Sequence, residues 1–153
     1  TLSLHDALPI CEIQGPWGSI ISDPHWGRTI NFSPAIPFWP EQMQANWSKQ
    51  VSSRYSISGY PDNSFGWQLY MYGAGWEKIK VPAGEFTCLR FQNLIYFQSD
   101  DGTKYECTRH EVMWFAPEIG RWVARESSGS YMVGGVGAIY LEGSHVWQLS
   151  GWK

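Results

Sequence analysis

Gly75 to Phe91 reads G-W-E-K-I-K-V-P-A-G-E-F-T-C-L-R-F, two alternating runs joined by a turn. Ile79 and Val81 alternate with Lys78 and Lys80 before the turn. After it, Leu89, Phe91, Ile95 and Phe97 share one parity, with Asn93 interrupting. Successive side chains on a strand point to opposite faces, so this patterning marks half-buried strands. Val81-Pro82-Ala83-Gly84-Glu85 predicts a three-residue hairpin loop. Proline presets φ at the first turn position, and glycine takes the left-handed conformation that returns the chain to the sheet.

The rest of the chain reads as strands added to either side of this hairpin. Trp47, Lys49, Val51, Ser53, Tyr55 and Ile57 share one parity, which predicts a strand over about 46–58. Gly59 to Gly66 has the composition of a loop. A strand over 67–72 continues through a bulge at Gly73-Ala74-Gly75 into 76–81. Two long strands, 86–98 and 103–116, are followed by a turn at Ala116-Pro117-Glu118-Ile119-Gly120 and a strand over 121–126. Ser127 to Ala138 is Ser/Gly-rich and reads as a flexible connection, and final strands follow over 139–142 and 145–152. No amphipathic helical pattern occurs. The expected fold is all-β, an antiparallel meander forming a curved sheet or half-barrel.

The first ten residues, T-L-S-L-H-D-A-L-P-I, resemble the translation of a widely used sequencing adapter, with Cys11 as the junction codon. Residues 1–11 are therefore set aside as an artefact, and the native N-terminus is expected to be missing. Leu8-Pro9-Ile10-Cys11 is not read as a lipoprotein cleavage box, because no basic region and no continuous apolar run precede it. Residues 12–45 form a Pro/Trp-rich stretch. Prolines 34, 37 and 40 argue against a helix or a central strand there. An extended N-terminal arm is expected, with short edge strands at Ser19–Ser22 and near Arg28–Phe32 and with Phe38 and Trp39 as anchors. Residues 46–153 are expected to form a single antiparallel β domain.

Charge excludes some partners. With Asp6 set aside, 11 cationic side chains face 13 acidic ones, a net charge of −2. That balance offers no electrostatic footprint for nucleic acid. No apolar run approaches the roughly 18 residues of a transmembrane helix, so no transmembrane segment is expected. Ten Trp, eight Tyr and seven Phe in a chain only 16% charged point to an aromatic-filled sheet interior or to a binding face.

Candidate chemistry is sparse. His110 and Glu111 are neighbours on a strand and point to opposite faces. His25, His110 and His145 stand at no metal-ligand spacing. Gly134-Gly135-Val136-Gly137 lacks the strand–helix setting of a dinucleotide loop. There is no G-x-S-x-G, and neither Cys88 nor Cys107 has a base at a recognisable offset. Arg90, Arg109, Arg121 and Arg125 read as solvated or as cross-strand partners of Glu77, Glu85, Glu111 and Glu118. No catalytic residue, cofactor or metal is assigned, and the chain is read as non-enzymatic. A turn at Asp100-Asp101-Gly102 would put Cys88 opposite about Trp114 and far along the ladder from Cys107. No disulfide is expected between them.

G-W-E-K-I-K-V-P-A-G-E-F together with M-W-F-A-P-E-I-G-R-W-V-A-R-E, Met113 to Glu126, resembles a family of uncharacterised bacterial envelope domains. Their pattern is roughly G-W-E-x-V-x-V-P-A-G-x-F followed by W-Y-A-P-x-V-G-R-x-V, and Phe115 stands where that pattern favours Tyr. The family is similar in outline to the curved-sheet domains of the lipoprotein carriers LolA and LolB. The resemblance implies a periplasmic or envelope location and assigns no catalytic residue.

The leading expectation is an envelope domain that binds a lipid or other hydrophobic small molecule in its curved sheet, lined by Trp76, Leu89, Phe91, Ile95, Met113 and Trp122. Concave sites of this kind favour apolar and aromatic walls. Two alternatives stand beside it. One is a structural or assembly domain that pairs a sheet edge with another envelope protein. The other is a carbohydrate-binding module presenting Trp67, Tyr70 and Tyr72 on one face.

Overall fold

A computed structural model describes residues 13–14, 19–25 and 28–152, with side chains described from 29 to 152. Residues 1–11, read as adapter-derived, lie outside the described residues, as do parts of the expected arm. The described chain is one antiparallel sheet: β1 (Ile13–Gln14), β2 (Ser19–His25), β3 (Arg28–Pro37), β4 (Ser48–Ile57), β5 (Tyr60–Val81), β6 (Gly84–Phe97), β7 (Lys104–Ala116), β8 (Arg121–Val133) and β9 (Ile139–Gln148). Its spatial order is the sequence order, β1 to β9, so every connection joins neighbours and the sheet is an open meander. No helix occurs among the described residues, and hence none long and apolar enough to cross a membrane.

The central hairpin pairs Ile79 with Phe86 and Val81 with Gly84. Its loop is therefore two residues, Pro82-Ala83, one fewer than the sequence suggests, and Gly84 supplies the positive φ of 139°. The ladder slips between Gly73 and Gly75, as the glycine-rich stretch predicts. This bulge reverses the parity of β5. Trp67, Leu69 and Met71 share a face with Phe97, Ile95 and Asn93, but beyond the bulge it is Trp76 that joins Leu89 on that face. We call this the inner face.

Three stretches depart from the sequence reading. Residues 60–66, expected to be a loop, belong to β5. Tyr60 pairs with Ile57 and Phe65 with Tyr55, so residues 61–64 leave the ladder as an exposed excursion. Arg54 Nε–H and Nη2–H anchor it by donating to Ser64 Oγ and O, both at 2.6 Å. Ser127 to Val133 continues β8, because Gly129 lets strands approach closely there. A Cβ on Gly129 would stand 3.0 Å from Thr108 O and collide with the Glu142 carboxylate. Finally, Pro34 and Pro37 lie in β3, which sits between β2 and β4. The β3–β4 ladder covers only Ile30 to Ser33, so it ends where the first proline would have to donate an N–H.

Both faces are covered, each in its own region. On the inner face, Phe32, Ile36, Tyr55, Trp67, Leu69, Met71, Phe91, Ile95, Met113 and Phe115 form the main core. The segment after β3 lies over it. Phe38 and Trp47 are buried in this core, and Trp39 packs on Phe115 with ring centroids 5.3 Å apart. At the hairpin end the outer face has a second core of Val81, Phe86, Cys88, Val123 and Ala124, with Leu149 packed against it. The chain after β9 is tied there by Leu149 N–H donating to Val123 O at 2.8 Å and Ala83 N–H donating to Leu149 O at 3.0 Å. Adjacent residues Cys88 and Leu89 are consequently both fully buried, on opposite faces.

Candidate functional site

Polar side chains interrupt the inner face where parity predicts apolar ones. Asn93, Arg109, Glu111 and Ser127 are all buried. Arg125 Nη2–H donates to Glu111 Oε1 at 2.6 Å, and Asn93 Nδ2–H reaches Glu111 Oε2 at 3.5 Å. The Arg125 guanidinium also lies 5.6 Å from the Phe38 ring and 5.2 Å from the Trp147 ring. Of the two roles expected for the arginines, Arg90 shows both, meeting Glu77 at 3.8 Å with both side chains well exposed. Arg109 and Glu111 are not solvated, and Glu111 is the cross-strand partner of Arg125 between β7 and β8.

Beside this cluster, toward the β6–β7 turn, the inner face opens into a cleft of about 800 Å³. Its floor is Ile30, Tyr55, Ile57, Trp67, Phe97 and Cys107, with Tyr131 and Leu141 completing the wall. These residues come from every strand between β3 and β9. On a flat sheet β3 and β9 would lie roughly 29 Å apart, too far to bound one cleft. The sheet therefore curls, and the cleft is the hollow left between its ends.

Aromatic packing sets the floor. The rings of Trp67 and Phe97 are 5.4 Å apart, and Phe32 meets Trp67 nearly edge-on at 5.0 Å. The Trp67 indole N–H is buried and has no hydrogen-bond acceptor among the described residues. Tyr55 O–H donates to Gln98 O at 2.5 Å. Burial, with the Asp100 carboxylate adding to it, pushes the Tyr55 hydroxyl up to about 12.

The rim is charged with both signs. Asp101 Oδ1 accepts from Thr103 N–H at 3.0 Å and from Thr103 Oγ1–H at 2.7 Å, which shapes the turn. Lys104 lies 3.8 Å from Asp101 and 4.6 Å above the Tyr131 ring. Arg109 lies 3.8 Å from Glu142 and 5.6 Å from the Phe97 ring. Burial, then the nearby Glu142 carboxylate, raises the Cys107 thiol, so it stays protonated and weakly nucleophilic at neutral pH. Among the described residues no three His, Cys, Asp or Glu side chains converge as a metal-ligand set. The arrangement joins an apolar floor to a charged wall, in which Arg109 is itself buried, and so offers both apolar and polar contacts to a ligand.

None of the six residues expected to line a site reaches this cleft. Phe91, Ile95 and Met113 belong to the main core, Leu89 is fully buried, and Trp122 packs half-buried against the core. Trp76 is 48% exposed, because the inner face beyond the bulge extends past the core. The three-ring platform is not formed either. Trp67 is buried on the inner face, while Tyr70 and Tyr72 are exposed on the outer one, beside a shallow groove that also includes Gln50, Leu94 and His110. His110 is exposed and its neighbour Glu111 buried, as strand alternation requires.

The cysteines are free and buried on opposite faces. The register differs from expectation: Trp114 faces Arg90, two residues from Cys88, and Cys107 faces Phe97. The reason is that β7 begins to pair with β6 only at Cys107, so residues 98–106 separate the last paired positions. The cleft residues carry a sequence signal of their own, since Tyr55, Ile57, Trp67 and Phe97 share the inner parity of their strands. What sequence lacks is where along each strand the core stops.

Compared with known proteins, the chain matches no family model, no curated protein and no solved structure.

Proposed function

We propose that this chain is a non-enzymatic domain of the bacterial cell envelope that holds a lipid or similar hydrophobic small molecule in the inner-face cleft. The observation that carries this reading is the cleft itself. Its volume of about 800 Å³ falls within the roughly 300–1,000 Å³ of small-molecule sites. Its floor joins Ile30, Ile57, Trp67 and Phe97 from four strands, with Lys104 and the buried Arg109 beside it. The apolar body of a ligand would lie on the rings and its polar end near Lys104 and Arg109. The envelope location rests on the two-segment resemblance from Gly75 to Phe86 and from Met113 to Glu126.

The test is native mass spectrometry of the chain purified from a bacterial host without detergent, before and after incubation with a lipid extract. A retained adduct that is released as a lipid supports the reading. A clean protein mass after incubation sinks it.

A further inference from the structure

The β9 edge, whose Leu141 and Glu142 also border the cleft, points to a second site. Among the described residues β9 is the last strand of the sheet and pairs with β8 on one side only. Ile139, Leu141 and Val146 are 68%, 82% and 64% exposed. Neither Lys nor Pro, the usual edge guards, occurs between Ile139 and Gln148.

The ladder with β8 pairs Ser127 with His145 and Gly129 with Glu142, so Gly143 and Ser144 together face Ser128. This bulge reverses side-chain parity halfway along β9. Tyr140, Glu142, His145 and Trp147 share the inner face with Tyr131, Gly129, Ser127 and Arg125. Ile139, Leu141, Val146 and Gln148 take the outer face. The strand is thereby palindromic in chemistry about the point between Gly143 and Ser144. In a regular strand, a two-fold axis between two residues would set opposing side chains on opposite faces. The parity reversal removes that conflict.

We propose that β9 pairs antiparallel with β9 of a second copy of this chain, about a two-fold axis between Gly143 and Ser144. In that register Leu141 faces Val146 of the second copy on the outer face. Tyr140 faces Trp147 and Glu142 faces His145 on the inner face, so apolar meets apolar, ring meets ring and acid meets base. The bulge, which on a lone edge deters foreign strands, lies at the axis in both copies and is matched by itself.

The test is sedimentation velocity on the full chain over a concentration series, with Leu141→Glu and the double variant Leu141→Glu/Val146→Lys. The unaltered chain is expected to shift toward twice the monomer mass as concentration rises. Leu141→Glu is expected to hold it at the monomer mass, with an unchanged far-UV spectrum because the side chain is exposed. The double variant places opposite charges across the axis and is expected to restore the dimer. A chain monomeric at every soluble concentration overturns the proposal. So does a dimer indifferent to Leu141→Glu, or a double variant that stays monomeric.

Discussion

Arg125 donates to Glu111 at 2.6 Å on the inner face, and its guanidinium is held between the rings of Phe38 and Trp147. One side chain thus ties β7, the segment after β3, and β9 together. Glu111 is buried, so removing its charge takes from Arg125 a carboxylate held at 2.6 Å out of water. Glu111→Gln is expected to destabilise the chain by about 3 kcal/mol, read from urea unfolding. Adding Arg125→Met should recover part of that loss, because both charges are then gone. An additive double variant would contradict the coupling.

Gly73 is a point of closest approach. Its N–H donates to Trp47 O at 2.8 Å and its carbonyl accepts from Asn46 N–H at 2.7 Å. A Cβ here would stand 2.8 Å from Gln44 O, a backbone atom that cannot swing aside. Gly73→Ala is expected to cost about 2 kcal/mol by pushing the 44–47 segment off the core. Gly102→Ala, which meets nothing within 4 Å, is the control.

Alkaline pH should weaken the fold. Burial first, then the Glu118 and Glu77 carboxylates, pushes the Cys88 thiol from 9.0 up to about 11, and Tyr55 rises from 10.0 to about 12. Between these values the unfolded chain gives up protons that the folded chain retains, so stability falls as pH rises. It is expected to be unaffected by these groups below pH 9 and to fall from there toward pH 12. Cys88 alone contributes up to about 2 kcal/mol of that loss by pH 10.5. Urea midpoints at pH 8 and pH 10.5 measure it, and Cys88→Ala should flatten the first part of the decline.

Thiol accessibility tests the burial directly. With Cys11 replaced by Ser, a thiol reagent should label almost nothing under native conditions at neutral pH. In urea without reductant it should label both Cys88 and Cys107. No label in urea would mean a disulfide between them, which the opposite faces of the two thiols do not permit.

Phe97 is the cleft side chain that touches both floor and rim. Phe97→Ala is expected to weaken binding of an apolar fluorescent probe by about tenfold. Tyr70→Ala, on the outer face, should leave it unchanged. Equal losses in both variants would place the probe elsewhere.

Local chemistry in the chain was enough to determine the fold class. Period-2 alternation from Trp47 to Ile57 and from Leu89 to Phe97, with glycine at the bulge and hairpin, specifies antiparallel strands and which side chains share a face. Parity alone already separates Trp67 from Tyr70 and Tyr72, and His110 from Glu111. It could not say how far each face is covered, because covering is done by distant segments. The 38–47 segment lies over Phe115, and Leu149 lies over the hairpin. That is why Leu89, Phe91 and Met113 became core, while Ile57, Trp67 and Phe97, of the same parity, were left beside a cleft. The burial of Arg109 and Glu111 was likewise decided in three dimensions. Their charges read as solvent-facing, but the curl of the sheet brought β3, β8 and β9 around one hollow and enclosed them with partners.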